Sequence, residues 1–116
     1  MKMLLIPIGL AIVCAACATV APVPTERLAA SQASLRGAQE AGADKEPQAK
    51  LHLKIAADEL EQAQALMAQQ KNEEAGRLLE RSKADAELAV GIARQAHAEA
   101  EAQQAVAAAK AFQANP

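Results

Sequence analysis

Residues 53–67, LKIAADELEQAQALM, set the architecture of the chain. Leu53, Ala56, Leu60, Ala63 and Met67 recur at spacings of three and four, the period of one face of an α-helix. Leu51, Ile55 and Leu66 widen that stripe, while Lys54, Asp58 and Glu61 fall on the outer faces. Upstream, Pro47 is tolerated only in a first helical turn, where its missing N–H is not needed. The spacing therefore predicts a helix over about 46–70. Downstream, Gln69–Asn72 (QQKN) interrupts the stripe, and Asn72 followed by Glu73 and Glu74 reads as an N-cap and an acidic first turn.

Working outward, a third helix is expected over 73–113, with Ala75, Leu79, Ser82, Ala86, Ala89, Ala93 and Ala96 along one seam. Pairs at i,i+4 (Glu73 with Arg77, Arg81 with Asp85, Lys83 with Glu87) each add a few tenths of a kcal/mol. Gly76 and Gly91 cost up to ~1 kcal/mol each in a helix, but in an alanine seam they permit close backbone approach. A first helix fits 25–41. Thr25 is the expected N-cap, Leu28, Ser31, Leu35 and Ala38 form its inner face, and Gly42 closes it. A short turn over 43–46 leads to Pro47. The alternative to a turn at 69–72 is one continuous helix from 47 to 113, about 100 Å long. The hairpin is preferred because it buries both seams without a partner.

Composition supports the same class. The 116 residues include 32 alanines, one aromatic (Phe112) and no Trp or Tyr, so the apolar fraction of 52% overstates the core. Apolar burial stabilises by roughly 25 cal/mol per Å², and an alanine has little area to bury. Stability has to come mostly from helix propensity, in which Ala, Leu, Glu, Gln, Lys and Arg lead. The expected fold is all-α: three helices in an alanine-rich antiparallel hairpin or coiled-coil-like bundle, with a long C-terminal helix. An interior large enough to enclose a substrate is not expected. Twelve basic and 14 acidic residues are interspersed without a basic block, which gives a nucleic-acid partner no support.

The first 21 residues follow another plan. Lys2 provides a positive start, Met3–Val13 is an unbroken apolar run, and Cys14-Ala15-Ala16-Cys17-Ala18 is a run of small residues. That order is the plan of a bacterial export signal. Ala15-Ala16-Cys17 resembles the lipobox of bacterial lipoproteins, which are cut just before a cysteine whose sulfur carries a diacylglycerol. The resemblance implies that residues 1–16 are removed, that Ala15 and Ala16 flank the cleavage, and that Cys17 bears the lipid. The position three before Cys17, normally aliphatic, is Cys14. Three other readings stand beside this one: cleavage after Ala18 at Ala16-Cys17-Ala18, an uncleaved anchor over Met3–Ala21, or two cysteines acting only as small apolar fillers. Two or more acyl chains anchor durably where one does not. Ala18, where inner-membrane lipoproteins commonly carry Asp, implies the periplasmic face of the outer membrane; periplasm or inner membrane are the alternatives. Residues 17–24 would be the acylated cysteine and its tether. At roughly 3.1 Å per residue, Ala18–Pro24 could raise the helical domain, 25–116, about 20 Å above the lipid.

The segment Ala57–Ala89 resembles an uncharacterised domain of alanine-rich bacterial lipoproteins. Ala41-Gly42-Ala43, Pro47, Glu73-Glu74-Ala75 and Ala84-Asp85-Ala86-Glu87-Leu88-Ala89 carry the likeness, over roughly 28–100. Gly is common in that family's turn, where this chain has Lys71-Asn72. The resemblance implies an envelope location, sometimes ahead of an OmpA-like peptidoglycan-binding domain, and no defined activity. The second and third helices also resemble one tetratricopeptide unit, without its bulky aromatic positions.

No catalytic pattern emerges. His52 and His97 fall on different helices, and a zinc site would need further N or S ligands. Asp58-Glu59-Glu61 and Glu73-Glu74 read as solvated helix faces. Neither a phosphate loop nor HExxH is present, and Cys14-Ala15-Ala16-Cys17 lies in the signal. The expectation is a non-enzymatic, lipid-anchored envelope lipoprotein without cofactor or metal. Its partner would be an envelope or cell-wall protein, or another copy of itself. The seam left open after Ile92 (Ala93, Ala96, Ala100, Val106 and Phe112) is the candidate interaction surface. The rival is a soluble periplasmic chaperone-like or ligand-binding bundle released after Ala18.

Overall fold

A computed structural model describes residues 19–115. Three helices follow one another: α1 (Thr25–Glu40), α2 (Pro47–Ala68) and α3 (Asn72–Ala114). The hairpin at 69–71 is present and the 47–113 helix is not continuous. Helix α3 is the spine, and α1 and α2 lie against it more than against each other. Three layers of core fix their directions. Leu28 meets Ala63, Ala75 and Leu79 at one end; Leu35 meets Ala56 and Ala86 in the middle; Ala38, Ala43 and Ala49 meet Ala89 and Ala93 at the other end. Helix α1 thus runs parallel to α3, and α2 runs back between the two ends.

Both turns use the same device. At the end of α1, Ala43 N–H donates to Ala38 O and Gly42 N–H to Gln39 O. That paired closure passes through a left-handed residue, here Gly42 at φ 79°. At the end of α2, Lys71 donates to Leu66 O and Gln70 to Met67 O, and the left-handed residue is Gln70 at φ 62°. Glycine enters that region freely; a residue with a Cβ does so at a cost of roughly 1–2 kcal/mol.

The starts of the helices differ from the sequence reading. Thr25 and Asn72 are first helical residues, and no side chain caps α1, α2 or α3. Pro24 (φ −81°, ψ 57°) makes an inverse γ-turn, with Thr25 N–H donating to Val23 O. Asn72 fails as a cap because its side chain is used elsewhere. Pro47 opens α2 as expected.

Close packing here means small residues. Ala38, Ala43, Ala49, Ala56, Ala63, Ala75, Ala86 and Ala89 have no exposed surface, and Leu79 is the one large side chain among the described residues that is fully enclosed. Leu51, expected to widen the seam of α2, is 58% exposed, because α3 covers the face centred on Ala56 and Ala63. Gly76 makes room as expected, but for a side chain: a Cβ there would sit 2.6 Å from Arg27 Nη1. Gly91 faces open space.

Candidate functional site

The end of the bundle that holds the α2–α3 turn also holds the segment that leads into α1. Asn72 Nδ2 donates to Ala21 O at 2.7 Å, across 51 residues of sequence, and Asn72 is itself buried. Beside it, Arg27 Nε meets Glu80 at 3.1 Å over the bare backbone of Gly76. Pro22, Val23 and Pro24 line a shallow groove together with Arg27 at the start of α1 and Asn72 and Glu73 at the start of α3. The segment before α1 is therefore strapped to the bundle from Ala21 onward, not merely attached at Thr25.

The opposite end is bare. Gly42, in the α1–α2 turn, comes closest to the His97 ring, and nothing covers α3 past that level. At 1.5 Å per residue α3 is about 64 Å long, against about 33 Å for α2. The expected interaction surface divides accordingly. Ala93, 1% exposed, is covered by the third core layer, and Ala96 is half-buried, so neither is open. The α1–α2 turn reaches them, and the spacing of α3 alone held no sign of that. Ala100, Val106 and Phe112 are exposed, Phe112 at 84%.

Between the two ends, the seam contains polar groups that sequence reasoning placed differently. Ser82 Oγ donates to Ala56 O at 2.6 Å. Its single proton is thereby used, so in the 2.7 Å contact with Ser31 Oγ the donor is Ser31. One pair of hydroxyls thus ties all three helices together. Glu59, expected on a solvated face, is 4% exposed. Arg81 reaches across to it at 2.6 Å in place of the expected i,i+4 partner Asp85, which instead accepts from His52 Nδ1 at 2.9 Å. Burial, partly offset by Arg81 and reinforced by Asp85, holds the Glu59 carboxyl above its ordinary range. The pairs Glu73–Arg77 and Lys83–Glu87 form as the spacing predicted. Helical period gives the face a residue lies on, within about a third of a turn; it does not say which of two adjacent faces the neighbouring helix will cover.

Among the described residues no three His, Cys, Asp or Glu side chains are arranged to hold a metal ion. In the same residues no helix is long and apolar enough to cross a membrane. Cys17, the candidate for lipidation, and Ala15 and Ala16, its cleavage flank, lie outside the described residues.

A family model described as a domain of unknown function (DUF4398) matches residues 26–114, all three helices and the bare end of α3 included. No curated protein and no solved structure matches the chain.

Proposed function

The chain belongs to the family of that domain of unknown function (DUF4398), and from that premise we propose a non-enzymatic, lipid-anchored lipoprotein of the bacterial envelope. In this reading Cys17 carries diacylglycerol on the periplasmic face of the outer membrane. The protein is a spacer that offers the C-terminal part of α3 to an envelope or cell-wall partner. One observation supports this most: the strapped tether and the bare helix lie at opposite ends of the molecule. Cys17 is four residues from Ala21, a span of at most about 14 Å. An anchor there sits beside the α2–α3 turn and leaves α3 directed away from the lipid. Phe112 then stands about 60 Å further along the helix than Asn72. Among the described residues the enclosed core is built mostly of alanine.

Growing cells with a radioactive fatty acid tests the anchor. The expected result is a labelled chain whose label disappears in Cys17→Ala. A chain that stays unlabelled and begins at Thr19 would overturn the proposal in favour of the soluble form. For the partner, cross-linking in cells from positions 98–112 should capture one envelope protein or a second copy. Equal capture from the outer face of α2 would remove the bare helix from the account.

A further inference from the structure

From His97 on, every described residue of α3 is exposed, yet the helix is not the same all round. Ala102, Gln103, Val106, Ala107 and Lys110 line a shallow groove along one face. That face carries two charges of opposite sign. Lys110 closes the groove at one end. Glu99 precedes Ala102 and Gln103 by three and four residues, the spacing that sets side chains on one face of a helix. Its carboxylate accepts from Gln95 Nε2 at 2.8 Å, one turn earlier on the same face. Glu101 and Phe112 stand two residues from Glu99 and Lys110, and residues so spaced do not share a face.

These residues are arranged about one midpoint. Ala102 and Val106 are equidistant from Gln104, Gln103 and Ala107 from Ala105, and Glu99 and Lys110 from the point between Gln104 and Ala105. A two-fold axis across the helix at that point sets Ala102 against Val106, Gln103 against Ala107, and Glu99 against Lys110, each of them twice. That is the requirement for an isologous pair, in which one patch serves both copies. Parallel alignment would instead set Glu99 on Glu99 and Lys110 on Lys110, and like charges placed opposite each other count against an interface.

We infer that the bare end of α3 pairs with the same segment of a second copy, antiparallel, about a two-fold axis beside Gln104 and Ala105. The inference rests on the reading of this end as an interaction surface, given above, and not on the lipid. Val106 of each copy packs over Ala102 of the other, where small side chains let the two backbones come close. Ion pairs between Glu99 and Lys110 close the contact at both ends. The overlap covers His97–Ala114, about 27 Å of helix. Two single helices touching over that length make a small interface, and small interfaces belong to reversible association. The two Asn72 residues then stand about 100 Å apart, so the start segments lie at the outer ends of the pair and the bare ends meet at its middle.

Sedimentation equilibrium of the full chain, in a mild detergent that keeps its apolar start dispersed, reads the association. The expected result is a reversible monomer–dimer equilibrium that salt weakens. Glu99→Lys and Lys110→Glu each replace two ion pairs by two like-charge contacts, and each should weaken the dimer roughly tenfold. The double variant exchanges the two charges and should restore it. Val106→Lys should abolish the dimer, and Phe112→Ala, on another face, should leave it unchanged. All four positions are exposed, so the bundle itself should keep its helical circular dichroism in every variant. A chain that stays monomeric at about 1 mM would overturn the pairing. So would a dimer that both single charge variants leave intact, as parallel pairing or contact through the apolar start would give, or a double variant that fails to restore it. Capture of a different envelope protein from 98–112 by a chain that does not self-associate would give the surface to that protein instead. The fatty-acid label on Cys17 bears on the anchor alone, so the two readings fail separately.

Discussion

The first half of α3, Asn72–Ala96, and the second, His97–Ala114, are one helix with similar side chains and opposite surroundings. In the first half Ala75, Leu79, Ser82, Ala86, Ala89 and Ala93 are enclosed at helical spacing; in the second every residue is exposed, alanines included. The comparison separates two contributions that usually act together. Helix continuity in the second half rests on propensity, because alanine loses almost no side-chain entropy in a helix. Burial in the first half depends on α1 and α2 being there to cover it, and it ends where they end. An alanine seam becomes a core only where another helix lies against it.

The largest expected break in this contrast is Leu79→Ala. Removing this fully enclosed side chain should destabilise by about 2–5 kcal/mol, read as a lower urea midpoint. Phe112→Ala, an equally apolar deletion in the second half, should change it by less than about 0.5 kcal/mol. Comparable losses for the two would mean that the second half is covered after all.

Next comes Ser82→Ala. It strands the Ser31 hydroxyl in a place without water and removes the bond to Ala56 O, at about 1–3 kcal/mol. The double variant Ser31→Ala with Ser82→Ala should recover part of that loss, since no donor is then left unmet on α1. Chemical denaturation of the two single variants and the double one completes the cycle. Zero coupling would dismiss the three-helix tie.

Smaller and of opposite sign is Gln70→Gly. It relieves a left-handed residue in the turn that brings α2 back onto α3, and should stabilise by about 0.5–1 kcal/mol. Hydrogen exchange should slow in the first half of α3 and stay unchanged beyond His97. Slowing in both halves would show that the two are coupled.

Smallest is Asn72→Ala, which releases Ala21 from the bundle at a cost of about 1 kcal/mol or less. Its readout is local: amides around Ala21–Thr25 should exchange faster while the core layers at Ala56 and Ala89 keep their protection.

Much of this was legible in the residues. The boundaries over 25–41, 46–70 and 73–113 fall within two residues of α1, α2 and α3, since Pro47, Gly42 and the 3/4 spacing are local signals. The inner face of α1, Ser31, Leu35 and Ala38, was equally readable. The candidate site was less so. Ala100, Val106 and Phe112 lie bare on α3 where the spacing left them, but Ala93 is enclosed and Ala96 half-buried, because the α1–α2 turn folds over them. Glu59 was misplaced for a related reason. It sits one position from Leu60 and four from Ile55, so the stripe of α2 can be drawn on either side of it.

Helix type, most of the helix bounds and the turn closed by Gly42 were determined by the sequence alone, because propensity, proline and a glycine's left-handed closure act within a few residues; the turn at 69–71 was chosen over a continuous helix only because it lets two seams cover each other. The tertiary structure decided which face of each helix is covered, that Arg81 crosses to Glu59 while Asp85 takes His52, and that Asn72 straps the segment before α1. Alanine is small and apolar on every face, so it marks no face uniquely. Only the packing of α1 and α2 on α3 selects among faces that the residues leave nearly equivalent.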